Sequence, residues 1–255
     1  MSNQASIDAL RNARLSGEKL TSYPGPAPKD MSEAFAIQSA VRNSIGWKHA
    51  GWKIGCTSQR AQIALKIDGP FPGPVYAERL FASGAHVQTL ATNNRTTEPE
   101  IAFTLARDLP KRDQAWTIEE VLAAVATVHP SIEIVNPRLP KGFNDVVEWY
   151  VADGGLSHAL VLGPGVKPLA QGEFAKITNR VSINGEQKYT GLGINALGGP
   201  EIALTWLAND LIKKGLFLRA GDVVTTGVIT EVFDTKIGDF VEAIYDPIGT
   251  VTVQL

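Results

Sequence analysis

The sequence predicts an α+β fold in which N-terminal helices, residues 1–50, cap a larger β-rich domain, residues 51–255. Three observations point to it. Apolar residues recur at helical spacing through the first ~45 positions. From Gly51 onward, short runs of β-branched and apolar residues sit between Gly and Pro punctuation. No internal repeat, low-complexity tract or long linker divides the chain.

In chain order, Ile7, Leu10, Ala13 and Leu15 form the apolar face of a first helix. The turn Tyr23-Pro24-Gly25-Pro26 interrupts the pattern, and Met31, Ala34, Phe35, Ile37, Gln38 and Val41 resume it. The runs WKIG, VYAERLFA, EIAFTLA, IEIV, HALVLG, RVSIN, DVVTTG, FVEAIY and TVTVQL read as strands. Two helices interrupt them. Thr117 and Glu120 form a capping box that predicts a helix running through VLAAVATV. Pro200 suits the first turn of another helix, which continues through EIALTWLANDLIKK to a C-cap at Gly215. Asn184-Gly185 predicts a hairpin, because both central residues of the favoured turn need positive φ.

Charge and composition exclude several classes of function. Lys plus Arg total 24 and Asp plus Glu 26, for a net charge of −2, and no basic run exceeds two residues. That leaves no electrostatic footprint for nucleic acid or an anionic membrane. With 44% hydrophobic and 20% charged residues, the chain can fill a core. Cys56 is the single cysteine, so no internal disulfide or cysteine-rich zinc site exists, and a reducing compartment is expected. The opening MSNQASIDALRNAR lacks a charged segment followed by an apolar one, and no stretch approaches ~18 consecutive apolar residues. The expectation is a soluble cytoplasmic protein.

The sharpest local feature is Thr97-Glu98-Pro99-Glu100-Ile101-Ala102-Phe103-Thr104-Leu105. As a strand it puts Glu98, Glu100, Ala102 and Thr104 on one face and Ile101, Phe103 and Leu105 on the other. Two like charges on one face repel, and Pro99 removes a ladder donor. Two readings fit: an edge strand with a solvated acidic face, or a pair of ligands for a divalent cation. A third acid, Glu133, sits between Ile132 and Ile134 in a run suited to a buried strand, where an unpaired carboxylate is costly. Three carboxylates without a Cys/His cluster specify hard oxygen ligation, suited to Mg²⁺ or Mn²⁺ and not to zinc.

Lys53, in the tight Gly-flanked run Gly51-Trp52-Lys53-Ile54-Gly55, reads either as the partner of an acid or anion or as a side chain snorkelling to solvent. Cys56 reads as inert packing, since no partner base is marked for it. His158, flanked by Ser157 and Ala159, reads as a satisfied core histidine. The Gly-rich turns at 190–200 and 225–230 match neither the dinucleotide nor the P-loop spacing, and no nucleophile elbow is present.

The segments GWKIGCTS (51–58), LKIDGPFPGPVY (65–76), EPEIAFTLARDLP (98–110), HPSIEIVNPRL (129–139), VADGG (151–155), LGGPEIALTWLAND (197–210) and GDVVTTGVIT (221–230) occur in this order over almost the whole chain. Together they resemble the 2-keto-4-pentenoate hydratase and oxalocrotonate decarboxylase branch of the fumarylacetoacetate hydrolase superfamily. The most specific part is the Glu-x-Glu strand with a third Glu about 33 residues on, downstream of the lysine. The resemblance implies a mixed β roll with a pseudo-barrel core, preceded by helices, in a homo-oligomer. It implies Mg²⁺ or Mn²⁺ on Glu98, Glu100 and Glu133, with Lys53 as the active-site lysine. Asp68 matches an acid, assigned with Lys53 to catalysis, in the segment that folds over the site. Thr226 and Gly227 match a turn lining the carboxylate end of the substrate.

The implied activity is metal-dependent hydration of 2-hydroxy-2,4-dienoates through the enolate of a small 2-oxo acid. Decarboxylation, acylpyruvate C–C hydrolysis and a weakly active partner subunit are the alternatives. The surrounding pocket departs from the hydratase pattern. Gly69-Pro70-Phe71-Pro72-Gly73 lacks a second acid, and Phe71 adds apolar surface beside the substrate. Leu197-Gly198-Gly199-Pro200 lacks a histidine, and Gly154-Gly155-Leu156-Ser157-His158 replaces a Ser/Asn-rich stretch.

Overall fold

The computed structural model describes residues 3–255. Helices α1 (Gln4–Ser16) and α2 (Met31–Ser44) lead into β1 (His49–Gly55), α3 (Gln59–Leu65), β2 (Phe71–Tyr76), β3 (Leu80–Ala82), β4 (Ala85–His86) and β5 (Thr96–Leu105). Then follow α4 (Ile118–Leu122), β6 (Val125–Val135), α5 (Val147–Ala152), β7 (Ser157–Leu162), β8 (Thr178–Ile183) and β9 (Glu186–Leu192). The chain ends with α6 (Pro200–Lys213), β10 (Val223–Val228), β11 (Phe233–Asp234), β12 (Phe240–Asp246) and β13 (Gly249–Gln254). No described helix is long and apolar enough to cross a membrane.

The larger sheet runs β2-β1-β10-β5-β6-β7-β3, with β11 also on β5, and curls into a half-barrel. It is mixed: β1 with β10 and β3 with β7 are parallel, and its other pairs are antiparallel. The smaller sheet runs β4-β13-β12-β8-β9. Strand alternation explains how the two pack. Ile101, Phe103, Ile132 and Ile134 point to one face of the larger sheet, where they meet Leu204, Leu207 and Leu211 of α6 and Val241, Val251 and Val253 of the smaller sheet. The opposite face keeps a small apolar patch, Val75, Ala102, Leu160 and Val223, beside the acidic residues. A separate core joins Leu10, Ala34, Ile37 and Val41 of the first two helices to Tyr150, Val151, Leu156 and Phe71.

Several elements form as expected. Asn184 and Gly185 have φ of 53° and 82° in the β8–β9 hairpin. Pro200 opens α6, and Gly215 follows its end at φ +77°. Others differ for physical reasons. The Thr117–Glu120 capping box is present, but its helix stops at Leu122. The β-branched Val125, Thr127 and Val128 pair with Leu105, Thr104 and Phe103 instead, so the ladder overrides weak helical propensity. The run VYAERLFA is not one strand: a 3₁₀ turn at Ala77–Arg79 separates β2 from β3. Helix α1 is rotated from its expected face, with Leu15 46% exposed and Arg14 only 5% exposed.

The edge-strand reading of the acidic segment is overturned. β5 lies between β10 and β6, and Glu100 has no exposure. Pro99 is tolerated there because its carbonyl accepts the Ile229 N–H at 3.0 Å. A strand residue's N and O point the same way, so the missing N–H falls on that side, where β10 pairing breaks between Thr225 and Val228.

Candidate active site

Backbone register assembles the site. On β5 and β6, Glu98 stands opposite Glu133 and Glu100 opposite Ser131. On β1 and β10, Lys53 stands beside Thr225, which in turn stands opposite Ala102. All these side chains therefore rise from one face. One carboxylate oxygen from each of Glu98, Glu100 and Glu133 lies within 4.8 Å of the others. Lys53 Nζ is 3.1 Å from Glu133 Oε2, and Lys53 is 3% exposed, so it is an acid's partner and does not snorkel. Glu100 Oε2 accepts the Gly227 N–H at 2.7 Å and the Thr225 hydroxyl. Glu100 Oε1 and Glu133 Oε1 are buried with no partner.

The electrostatics are those of crowded, buried carboxylates around one lysine. Burial, reinforced by Glu133 and opposed by Lys53, pushes Glu98 up to about 7. Burial and its two acidic neighbours hold Glu100 well above the usual carboxylate range. Burial works to lower Lys53, but the charges of Glu133, Glu98 and Glu100 outweigh it and keep the ammonium above its ordinary value. With every group ionised, three carboxylates and one lysine carry −2, which one divalent cation cancels. The orphaned oxygens and the all-oxygen donor set fit such an ion.

A pH dependence follows. Glu98 binds its proton more tightly in the folded metal-free protein than its ordinary value of 4.5. Its contribution to stability is complete below that value and is lost as pH rises through about 7. The metal-free melting temperature is expected to fall between about pH 5 and pH 8, and saturating Mg²⁺ to remove most of the fall. A pH-independent metal-free melting temperature would remove the argument from burial and like charge at Glu98.

Space for the lysine is made by glycine. A Cβ on Gly73 would come within 2.4 Å of the Gly154 carbonyl oxygen and 3.1 Å of Lys53 Cγ. At Gly155, whose φ is +67°, it would meet Lys53 Cδ at 3.0 Å and Phe71 Cε2 at 3.6 Å. Phe71, two residues before Gly73 on β2, shares the face of Lys53 and puts an apolar ring beside its stem.

A buried network that sequence reasoning missed holds the Gly154-Gly155 turn. Arg138 Nε donates to Asp153 Oδ1 at 2.7 Å, and Arg14 donates to the carbonyls of Asp153 at 2.7 Å and Ser157 at 2.9 Å. The one hint was an arginine between Pro137 and Leu139 in an otherwise apolar run.

The other candidate residues fall outside the cluster. Asp68 is exposed in the α3–β2 connection and forms no hydrogen bond or ion pair with a described residue. Thr226 is fully buried, and its hydroxyl donates to the Ile101 carbonyl at 2.7 Å. Its neighbours Thr225 and Gly227 are the ones that reach Glu100. Burial pushes the Cys56 thiol up to about 11, against a nucleophilic role. His158 is buried with Nε2 3.3 Å from the Gln88 carbonyl, and burial, with Arg138 and Arg79 nearby, pushes it down to about 3. It is a neutral core histidine.

Comparisons with known proteins agree with this architecture. Residues 75–255 match the family model for the fumarylacetoacetate (FAA) hydrolase C-terminal region. The chain is 30% identical to a 2-hydroxyhexa-2,4-dienoate hydratase of Comamonas testosteroni, over 98% of this chain and 95% of that one. It is 31% identical to a 2-keto-4-pentenoate hydratase of Paraburkholderia xenovorans strain LB400, over 98% and 94%. Among solved structures, 4-oxalocrotonate decarboxylase from Pseudomonas putida G7, complexed with magnesium and adipate, superposes with a TM-score of 0.88 at 23% identity, covering 100% of this chain and 98% of that one. Fumarylpyruvate hydrolase from Pseudomonas aeruginosa, in complex with Mn²⁺ and pyruvate, gives a TM-score of 0.61 at 15% identity over 81% and 89%. The matched family region, the near-full-length identity to curated hydratases and the shared half-barrel place this chain in the fumarylacetoacetate hydrolase family, as an enzyme of that superfamily.

Proposed function

We propose that this chain is a divalent-metal-dependent hydratase of 2-hydroxy-2,4-dienoates. The observation that carries the reading is the convergence of Glu98, Glu100 and Glu133, with Lys53 paired to Glu133 at 3.1 Å. Glu98, Glu100 and Glu133 would hold Mg²⁺ or Mn²⁺, the ions that the donor set favours. When bound, such an ion supplies Lewis acidity toward the carboxylate and 2-oxygen of a 2-oxo acid. Thr225 and the Gly227 N–H orient Glu100 within the set. Thr226 contributes to that turn through its backbone, its hydroxyl being committed to Ile101. Lys53, an ammonium in its ion pair, attracts the substrate anion and gives up a proton rather than taking one. Phe71 walls the lysine side with apolar surface and excludes water there. Cys56, unpaired with any other cysteine, suits a reducing cytoplasm, and a homo-oligomer of this chain completes the proposal.

Asp68 enters this reading only through closure of the exposed α3–β2 connection. Asp68→Asn is expected to lower kcat by about 100-fold while leaving metal affinity unchanged; an unchanged kcat removes Asp68 from catalysis.

Phe71 favours one departure from a plain hydratase. Water addition needs a positioned, activated water, and an apolar ring beside Lys53 makes that harder without disturbing the carboxylates. We therefore expect slow hydration of 2-hydroxypenta-2,4-dienoate and faster turnover of a bulkier, more apolar 2-oxo acid. Hydration, decarboxylation and acylpyruvate cleavage assayed side by side with Mg²⁺ decide it. Hydration of the small dienoate at about 10 s⁻¹ or above would show that Phe71 does not matter, and decarboxylation or cleavage outrunning hydration would replace the reaction assigned here.

A further inference from the structure

Trp52 and Lys53 are successive residues of β1 and point to opposite faces of the sheet. On the Trp52 side lies a cavity of about 280 Å³ that belongs to none of the carboxylate machinery. Its walls come from the end of α2 (Arg42 and Asn43), β1 (His49 and Trp52), Lys111, and the α6–β10 connection with Leu216, Phe217, Arg219 and Asp222.

Three cations line it, Lys111 and Arg219 exposed and Arg42 half-buried, and the charge of Arg219 favours the ionised form of nearby Asp222. Neither Arg42, Lys111 nor Arg219 forms an ion pair or donates a side-chain hydrogen bond to a described residue. The one acid in the wall, Asp222, is 7% exposed and accepts the backbone N–H of Arg219 at 2.9 Å. The arginines are arrayed on aromatic surface: Arg42 Cζ lies 5.1 Å from the Trp52 ring and Arg219 Cζ 5.2 Å from the Phe217 ring. Lys111 reaches the same rim, since a Cβ on Gly215 would sit 3.7 Å from its Nζ.

Two polar atoms of residues in the wall are also unpartnered, buried behind its surface. Trp52 is 2% exposed and its Nε1 has no partner, and the buried Nδ1 of His49, whose ring lies 4.9 Å from Trp52, has none either. A concave, partly aromatic wall with a few convergent charges is the composition of a small-molecule site. Arginine forks match the planar geometry of a carboxylate, and the half-buried Phe217 and Leu216 offer apolar surface to the body attached to it.

We propose that this cavity is a second ligand site, distinct from the carboxylate cluster, for a small organic carboxylate with a planar apolar body. The site is built across the joint between α2 and the β-rich part of the chain, so its occupant bridges both.

The test is calorimetry on the Mg²⁺-loaded protein with phthalate as probe, and with inorganic phosphate and benzyl alcohol as the purely anionic and purely aromatic arms. Saturable phthalate binding is expected, weakened by salt. It should be unchanged in Lys53→Met and at least tenfold weaker in Arg42→Ala/Arg219→Ala. Should that double variant fail to fold by circular dichroism, Lys111→Ala/Arg219→Ala takes its place. Phthalate binding lost in Lys53→Met but kept in the arginine variant would overturn the proposal by placing the probe in the carboxylate site. Phosphate or benzyl alcohol binding as tightly as phthalate, or no saturable binding of phthalate, would overturn it as well. Because the readout is binding on the far side of β1, it stands or falls apart from the hydratase reading.

Discussion

Replacing Glu98 and Glu100 together with alanine is expected to abolish saturable calorimetric binding of Mg²⁺ and Mn²⁺ and to lower kcat/KM by about 1,000-fold or more. The expectation rests on geometry: both acids rise from β5 on the face of Glu133, each offering an oxygen within 4.8 Å of the others. The isosteric pair Glu98→Gln/Glu100→Gln separates loss of metal from loss of fold. It makes both side chains permanently neutral without opening a cavity, so the metal-free variant should melt at or above the metal-free wild type as pH rises past about 7. Saturable metal binding that survives in the alanine variant sinks the assignment of these ligands.

Lys53→Met keeps the volume of the stem and deletes the charge, and it is expected to lower kcat by about 100- to 10,000-fold with metal binding retained. Stability responds in a way that depends on metal. In the metal-free protein the variant strands Glu133, fully buried, without its partner at 3.1 Å, a loss on the order of 3–5 kcal/mol. With Mg²⁺ saturating, a cation again faces Glu133 and most of that loss should vanish. Undiminished kcat/KM would leave Lys53 with a purely structural role, as the charge partner of Glu133.

Much of this site was legible because β-strand alternation is strict. Two acids spaced by one residue share a face whatever the fold around them, and an acid between two isoleucines in a strand announces a buried carboxylate. What strand alternation cannot supply is pairing between distant strands. Which of Thr225 and Thr226 faces Glu100 depends on the register of β10 against β5, set by residues more than a hundred positions apart. The helix expected through VLAAVATV failed for a related reason. Alanines and valines there satisfy helical periodicity, and only the ladder to β5 decides in favour of a strand. Arg14 was hidden by its own helix, where a charged residue beside Leu15 reads as solvent-facing until Asp153 and Ser157 are in place to receive it.

Arg14 also sets an order of events during synthesis. Its bonds to the carbonyls of Asp153 and Ser157 span 139 and 143 residues. The entropy of closing so long a loop grows only slowly with its length, so the finished contact is tolerable. On the ribosome it is late. The first helix emerges early but finds its polar receptors only after the chain has been made past residue 157, and until then its guanidinium remains in water. The turn that seats Lys53 is thus completed by an earlier-made part of the chain docking onto a much later one. The buried support of that turn is therefore assembled only once both ends of this long excursion have been made.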